Sequence, residues 1–112
     1  MPIQSQDYER VCVLIPSGDL AGAETAQLRD SVAKSIAERQ LIDFIVDLKH
    51  ATFIDSAGLE SLLWVKRRTD DLFGQVKLIN VDPNVRKILE ITRLGPRFET
   101  HHDLATALKL MR

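Results

Sequence analysis

A single α/β domain with a mixed, mainly parallel sheet and helical crossovers is the fold this sequence predicts. Three observations lead there. Short apolar runs rich in β-branched residues alternate with stretches whose apolar residues recur every three or four positions. The connections are short, so each helix carries the chain back to lay the next strand parallel to the last. Residues 42–48 are apolar nearly throughout, which suits a strand covered on both faces, except at Asp43 and Asp47.

The elements follow in order. Residues 3–8 read as an edge strand, and Val11-Cys12-Val13-Leu14-Ile15 as a strand ended by the turn signal Pro16-Ser17-Gly18. Residues 21–39 read as a helix. Its stripe is Leu28, Val32 and Ile36, flanked by Ala33 and Ala37. After the strand at 42–48, a helix is expected from Ser56 to Leu72, ending near Gly74, then a strand at 76–81. Asp82-Pro83 marks another helix start, because Asp caps free amides and Pro has no N–H to waste in a first turn. Val85, Ile88, Leu89 and Thr92 are its expected inner face, and Gly95-Pro96 its stop. Residues 98–100 form a last short strand. Asp103 caps a final helix carrying Leu104, Ala107, Leu108 and Met111.

A chain of 112 residues, 45% hydrophobic, suits one compact domain spanning 1–112. The formal net charge of −1, from 15 basic and 16 acidic residues, points to neither nucleic acid nor a membrane surface. No apolar run approaches the roughly 20 residues needed to span a bilayer. Met1-Pro2-Ile3-Gln4-Ser5 has no basic-then-apolar leader. Cys12, the only cysteine, has no internal disulfide partner and reads as buried packing. A soluble, cytoplasmic domain is expected.

Catalytic chemistry finds little support. The phosphate-cradling G-x-x-x-x-G-K-[ST] and the dinucleotide G-x-G-x-x-G are missing. Three histidines, His50, His101 and His102, lack metal-ligand spacing and read as exposed loop residues. Ser56, His50 and Asp55 could suggest a triad, but no G-x-S-x-G elbow surrounds Ser56. A phosphoryl-accepting receiver domain needs an acidic pair after its first strand, and Pro16-Ser17-Gly18-Asp19 supplies one acid. No catalytic residue, metal site or cofactor is assigned. Trp64 reads as packing, and Lys66-Arg67-Arg68 as a solvated face offset by Asp70 and Asp71.

The most informative stretch is Phe53-Ile54-Asp55-Ser56-Ala57-Gly58-Leu59, at the passage from a strand's exit loop into a helix. Free amides at a helix start favour negative charge. Asp55 or Ser56 can serve there as N-cap, with Gly58 a tolerated weak helix former. The same place would accept a phosphate on Ser56. Cap and switch are compatible readings.

Ile54-Asp55-Ser56-Ala57-Gly58-Leu59, after an apolar strand ending in Asp47-Leu48, resembles the signature of the STAS domain family, most closely its stand-alone bacterial anti-sigma factor antagonists. Gly18-x-Leu20, the strand at 76–81 and Asp82-Pro83-Asn84-Val85 with Ile88-Leu89 and Leu94 support the likeness over nearly the whole chain. The resemblance implies a partner-switching protein and no enzyme. Its unphosphorylated form would bind an anti-sigma factor that is also a serine kinase, releasing the sigma factor. Phosphorylation on Ser56 would end that binding, and a phosphatase would restore it. The partner surface is expected over Asp19, Asp55, Ser56, Ala57, Gly58, Leu59 and Glu60. One departure is Gly18-Asp19-Leu20-Ala21: the family often has Asp where Ala21 stands. STAS-like accessory subunits of lipid-transport ABC systems are the alternative, with Ser56 unmodified.

Overall fold

The computed structural model describes residues 2–111, and its chain folds as β1 (Ile3–Tyr8), β2 (Val11–Pro16), α1 (Ala26–Arg39), β3 (Asp43–Asp47), α2 (Ser56–Asp71), β4 (Gln75–Ile79), α3 (Pro83–Ile91), β5 (Glu99–His101) and α4 (Leu104–Lys109). Single 3-10 turns at Ala23–Thr25 and Gly95–Arg97 precede α1 and β5. Sheet order equals chain order, β1 to β5. The β1–β2 hairpin is antiparallel, and every later pairing is parallel. This is the mixed, mainly parallel sheet that the alternating pattern predicts.

Strand alternation divides the core into two layers. Cys12, Leu14, Phe44, Val46, Val76 and Leu78 face the helices α1, α2 and α3, which contribute Leu28, Val32, Leu62, Val65, Val85 and Leu89. Val13, Ile15, Ile45 and Ile79 face the other way, under Ala107 and Met111 at the C-terminal end of the chain. The central strand β3 is thus covered on both sides, as its apolar run requires. Cys12 is buried, and its Sγ lies 3.5 Å from Ser5 Oγ.

Several local expectations are corrected. The first helix begins later than residue 21 because Gly22 sits at φ 72, ψ −165, backbone that glycine alone adopts freely. Ala33 and Ala37 are exposed, and the apolar stripe is completed by Ser35, which accepts a hydrogen bond from Arg39 at 2.9 Å. Helix α2 ends at Asp71, near Gly74 as expected. Phe73 takes the left-handed conformation, at φ 61, while Gly74 passes so close to the Ile42 carbonyl that a methyl group would collide with it. Helix α3 stops at Thr92 and Arg93, before Gly95-Pro96. Thr92 is exposed, and its hydroxyl donates to the Ile88 carbonyl at 2.8 Å. The last strand is shifted by one residue, leaving Phe98 in the core. His101 lies within β5 and is half-buried; His50 and His102 are exposed.

Candidate functional site

The parallel strands β2, β3 and β4 all end at one pole, and the loops leaving them meet there. Asp47, buried at the end of β3, ties two of these loops together. Its Oδ1 accepts from the Lys49 amide and from Asn80 Nδ2, each at 3.0 Å. A buried carboxylate needs such donors to offset its desolvation. Beyond it, Leu20 and Ile54 form an isolated parallel bridge, with the Leu20 amide on the Phe53 carbonyl at 3.2 Å and the Asp55 amide on the Leu20 carbonyl at 3.1 Å. The segment at 18–22 is therefore a short extra rung beside the loop that delivers Ser56.

Asp19 fixes that loop from the side. Its Oδ1 receives the Thr52 amide at 2.8 Å, the Phe53 amide at 3.1 Å and the Thr52 hydroxyl at 3.3 Å. Asn84 at the start of α3 adds a contact from its Nδ2 to the Thr52 carbonyl, at 3.4 Å. With the backbone so held, the Phe53 ring stands 47% exposed three residues before Ser56.

Asp55 is the N-cap of α2. One carboxylate oxygen accepts from the Gly58 amide and the other from the Gly22 amide, both at 2.9 Å. These amide contacts, Gly58 first and Gly22 second, hold its carboxyl below the usual carboxylate range. Gly58 has more than a weak helix former's role. It packs so tightly on the Leu20 carbonyl and the Ile54 side chain that no side chain fits. The cap and the close approach together set the first turn of α2 against the 18–22 rung. Ser61 Oγ adds a bond to the Thr25 carbonyl at 3.2 Å.

Ser56 is the first residue of α2 and is exposed. Because Asp55 is the cap, the Ser56 hydroxyl is left unengaged among the described residues. Glu60, one turn on, is exposed, while Ala57 and Leu59 are half-buried, Leu59 against the core. Asp19, Asp55, Ser56, Ala57, Gly58, Leu59 and Glu60 thus gather at one pole. Their duties differ: Asp19, Asp55 and Gly58 build the site, and Ser56 and Glu60 face outward. Ala21 is half-buried in the 18–22 rung, and the neighbouring Gly22 amide meets Asp55. Sequence reasoning named Phe53 in the stretch but left it, like Gly22, outside the expected partner surface. The available signal for Phe53 was an aromatic residue outside the stripe of α2; for Gly22, a glycine just before a helix.

No group of three or more His, Cys, Asp or Glu residues among the described residues could hold a metal ion. No described helix is long and apolar enough to cross a membrane.

The model of the STAS domain matches residues 2–107. A STAS-domain containing protein of Pseudomonas aeruginosa is 38% identical over 56 residues, 50% of this chain. That match spans 55% of the Pseudomonas protein, about half its length. An anti-sigma F factor antagonist of Lysinibacillus sphaericus is 28% identical over 79 residues, 70% of this chain and 68% of that one. Among solved structures, a putative anti-sigma factor antagonist from Thermotoga maritima superposes with a TM-score of 0.91 at 16% identity, covering 98% of this chain and 94% of that one. The Bacillus cell fate determinant SpoIIAA in its phosphorylated form superposes with a TM-score of 0.76 at 23% identity, covering 99% of this chain and 100% of that one. At such identities these two likenesses establish the fold.

Proposed function

This chain belongs to the STAS domain family, and from that membership we propose that it is an anti-sigma factor antagonist switched by phosphorylation of Ser56. The unphosphorylated form binds an anti-sigma factor with serine kinase activity and so frees a sigma factor. The kinase then phosphorylates Ser56, the complex separates, and a phosphatase resets the chain. The protein itself acts by binding, with no catalytic step of its own. It works in the cytoplasm, where sigma factors act.

The observation that carries this reading is the position of Ser56. It is exposed at the first position of a 16-residue helix, and Asp55 has already taken the capping role. A hydroxyl with no structural duty can be modified without unmaking the fold. A phosphate there adds about −1.5 to −2 charges. Set beside Asp55 and Glu60 in a closed interface, it needs to cost only about 2.8 kcal/mol to weaken binding roughly a hundredfold. No rearrangement of the domain is required.

Intact-mass measurement with site mapping on protein from its native cells comes first, followed by binding of the wild type and of Ser56→Asp to the anti-sigma kinases of the same organism. The reading expects one phosphate on Ser56 and at least a tenfold loss for Ser56→Asp, about 1.4 kcal/mol. A serine that stays unmodified under all growth conditions, with Ser56→Ala and Ser56→Asp binding alike, would overturn it and favour a structural subunit of a transport ATPase.

A further inference from the structure

A second polar site lies along the open edge of β5. It is a cleft of 390 Å³ lined by Arg86, Thr100, His101, His102 and Thr106. Three elements assemble it: α3 brings Arg86, β5 brings Thr100 and His101, and α4 with its preceding turn brings Thr106 and His102. Every ionisable group lining it is a cation or becomes one on protonation; no carboxylate does. By contrast, the cleft at the far end of the sheet is lined by three carboxylates, Asp7, Glu9 and Asp43, beside Arg10.

The donors are available. Among the described residues the Arg86 guanidinium is in no hydrogen bond or ion pair, so its planar fork is open for bidentate contact. His101 is the unusual member. Its Nε2 is enclosed without a hydrogen-bond partner, 3.6 Å from Glu99 Oε2. Glu99 in turn pairs with Lys77 of β4, whose side chain is 3% exposed. With one ring nitrogen turned in towards Glu99, the other is the one His101 can offer to the cleft, and in the imidazolium that nitrogen is a donor. The charge beside His101 is Glu99 on its own strand, while Arg86 of α3 and His102 share the cleft with it. Glu99 and Asp103 flank the cleft without lining it. Asp103 is engaged as N-cap, accepting the Thr106 amide at 2.9 Å.

We propose that this cleft binds a tetrahedral oxyanion, a phosphate group either free or as a small monoester, held by the Arg86 fork with His101 and His102 as further donors.

The test is an NMR titration of the full chain with inorganic phosphate, glycerol phosphate and sulfate, with chloride holding the ionic strength. Saturable shifts confined to Arg86, His101, His102 and their neighbours are expected. Arg86→Gln and His102→Gln, both at exposed positions, should each weaken binding about tenfold, roughly 1.4 kcal/mol, with other amide shifts unchanged. Tighter binding of glycerol phosphate than of phosphate would assign the esterified form, and the reverse the free ion. Shifts that chloride reproduces, or that both variants leave intact, would overturn the proposal.

Discussion

At the scale of single residues, Lys77 and Glu99 form an asymmetric pair. Lys77 is almost wholly enclosed, while the Glu99 side chain is 57% exposed. The cost of desolvation falls on the lysine, and the carboxylate relieves it. Removing each partner should therefore have opposite effects. Glu99→Gln leaves an enclosed ammonium without its counter-charge and should cost about 2–3 kcal/mol. Lys77→Met removes the buried charge, leaves a carboxylate that water can solvate, and should be neutral or stabilising. Urea unfolding of both variants checks the pair; equal destabilisation would contradict this account. Gly58 has a sharper limit. Any side chain there meets the Leu20 carbonyl oxygen, which is backbone and cannot rotate away. Gly58→Ala should cost at least about 2 kcal/mol and displace the 18–22 rung, read as lost protection of the Asp55 amide in hydrogen exchange.

At the scale of elements, the end of α2 shows how two rules can exchange residues. A helix commonly ends on a left-handed glycine, and Gly74 stands near the expected place. Instead Phe73 adopts φ 61 while 95% exposed, because only a glycine passes the Ile42 carbonyl at the next position. Phe73→Gly should relieve the strained backbone and raise stability by about 0.5–1 kcal/mol, measured as an upward shift in Tm. The central strands and the helices were legible in the sequence because each has its own apolar period. Element ends were less so: they depend on contacts between distant segments, as at Gly22 with Asp55 and Gly74 with Ile42. The site was legible in part. Asp55-Ser56-Ala57-Gly58 stood out by residue type. That Asp55 caps and Ser56 does not, or that Asp19 holds the Phe53 backbone, depends on the Leu20–Ile54 bridge across 34 positions of sequence, which no local pattern encodes.

At the scale of the whole molecule, three carboxyls, Asp55, Glu99 and Asp103, are held below their ordinary range. The first causes are the Gly58 amide, the Lys77 ammonium and the Thr106 amide, respectively. A carboxyl depressed in the folded state binds its proton more readily in the unfolded chain. Its contribution to stability is complete above the unfolded value of about 4 and is lost as the pH falls through the lower folded value. Stability should thus be level near neutrality with respect to these groups and decline below about pH 4. Urea midpoints across that range check it, and Asp55→Asn with Asp103→Asn should flatten the slope.

The bridge between Leu20 and Ile54 bears on who can read Ser56. The serine's setting is made by residues 18–22, 52–58 and 84, brought together only when the sheet is complete. A synthetic peptide covering residues 50–62 carries the same letters without the same shape. An enzyme that recognises Ser56 through this setting would ignore the peptide and any misfolded copy, so the modification mark would double as a certificate of folding.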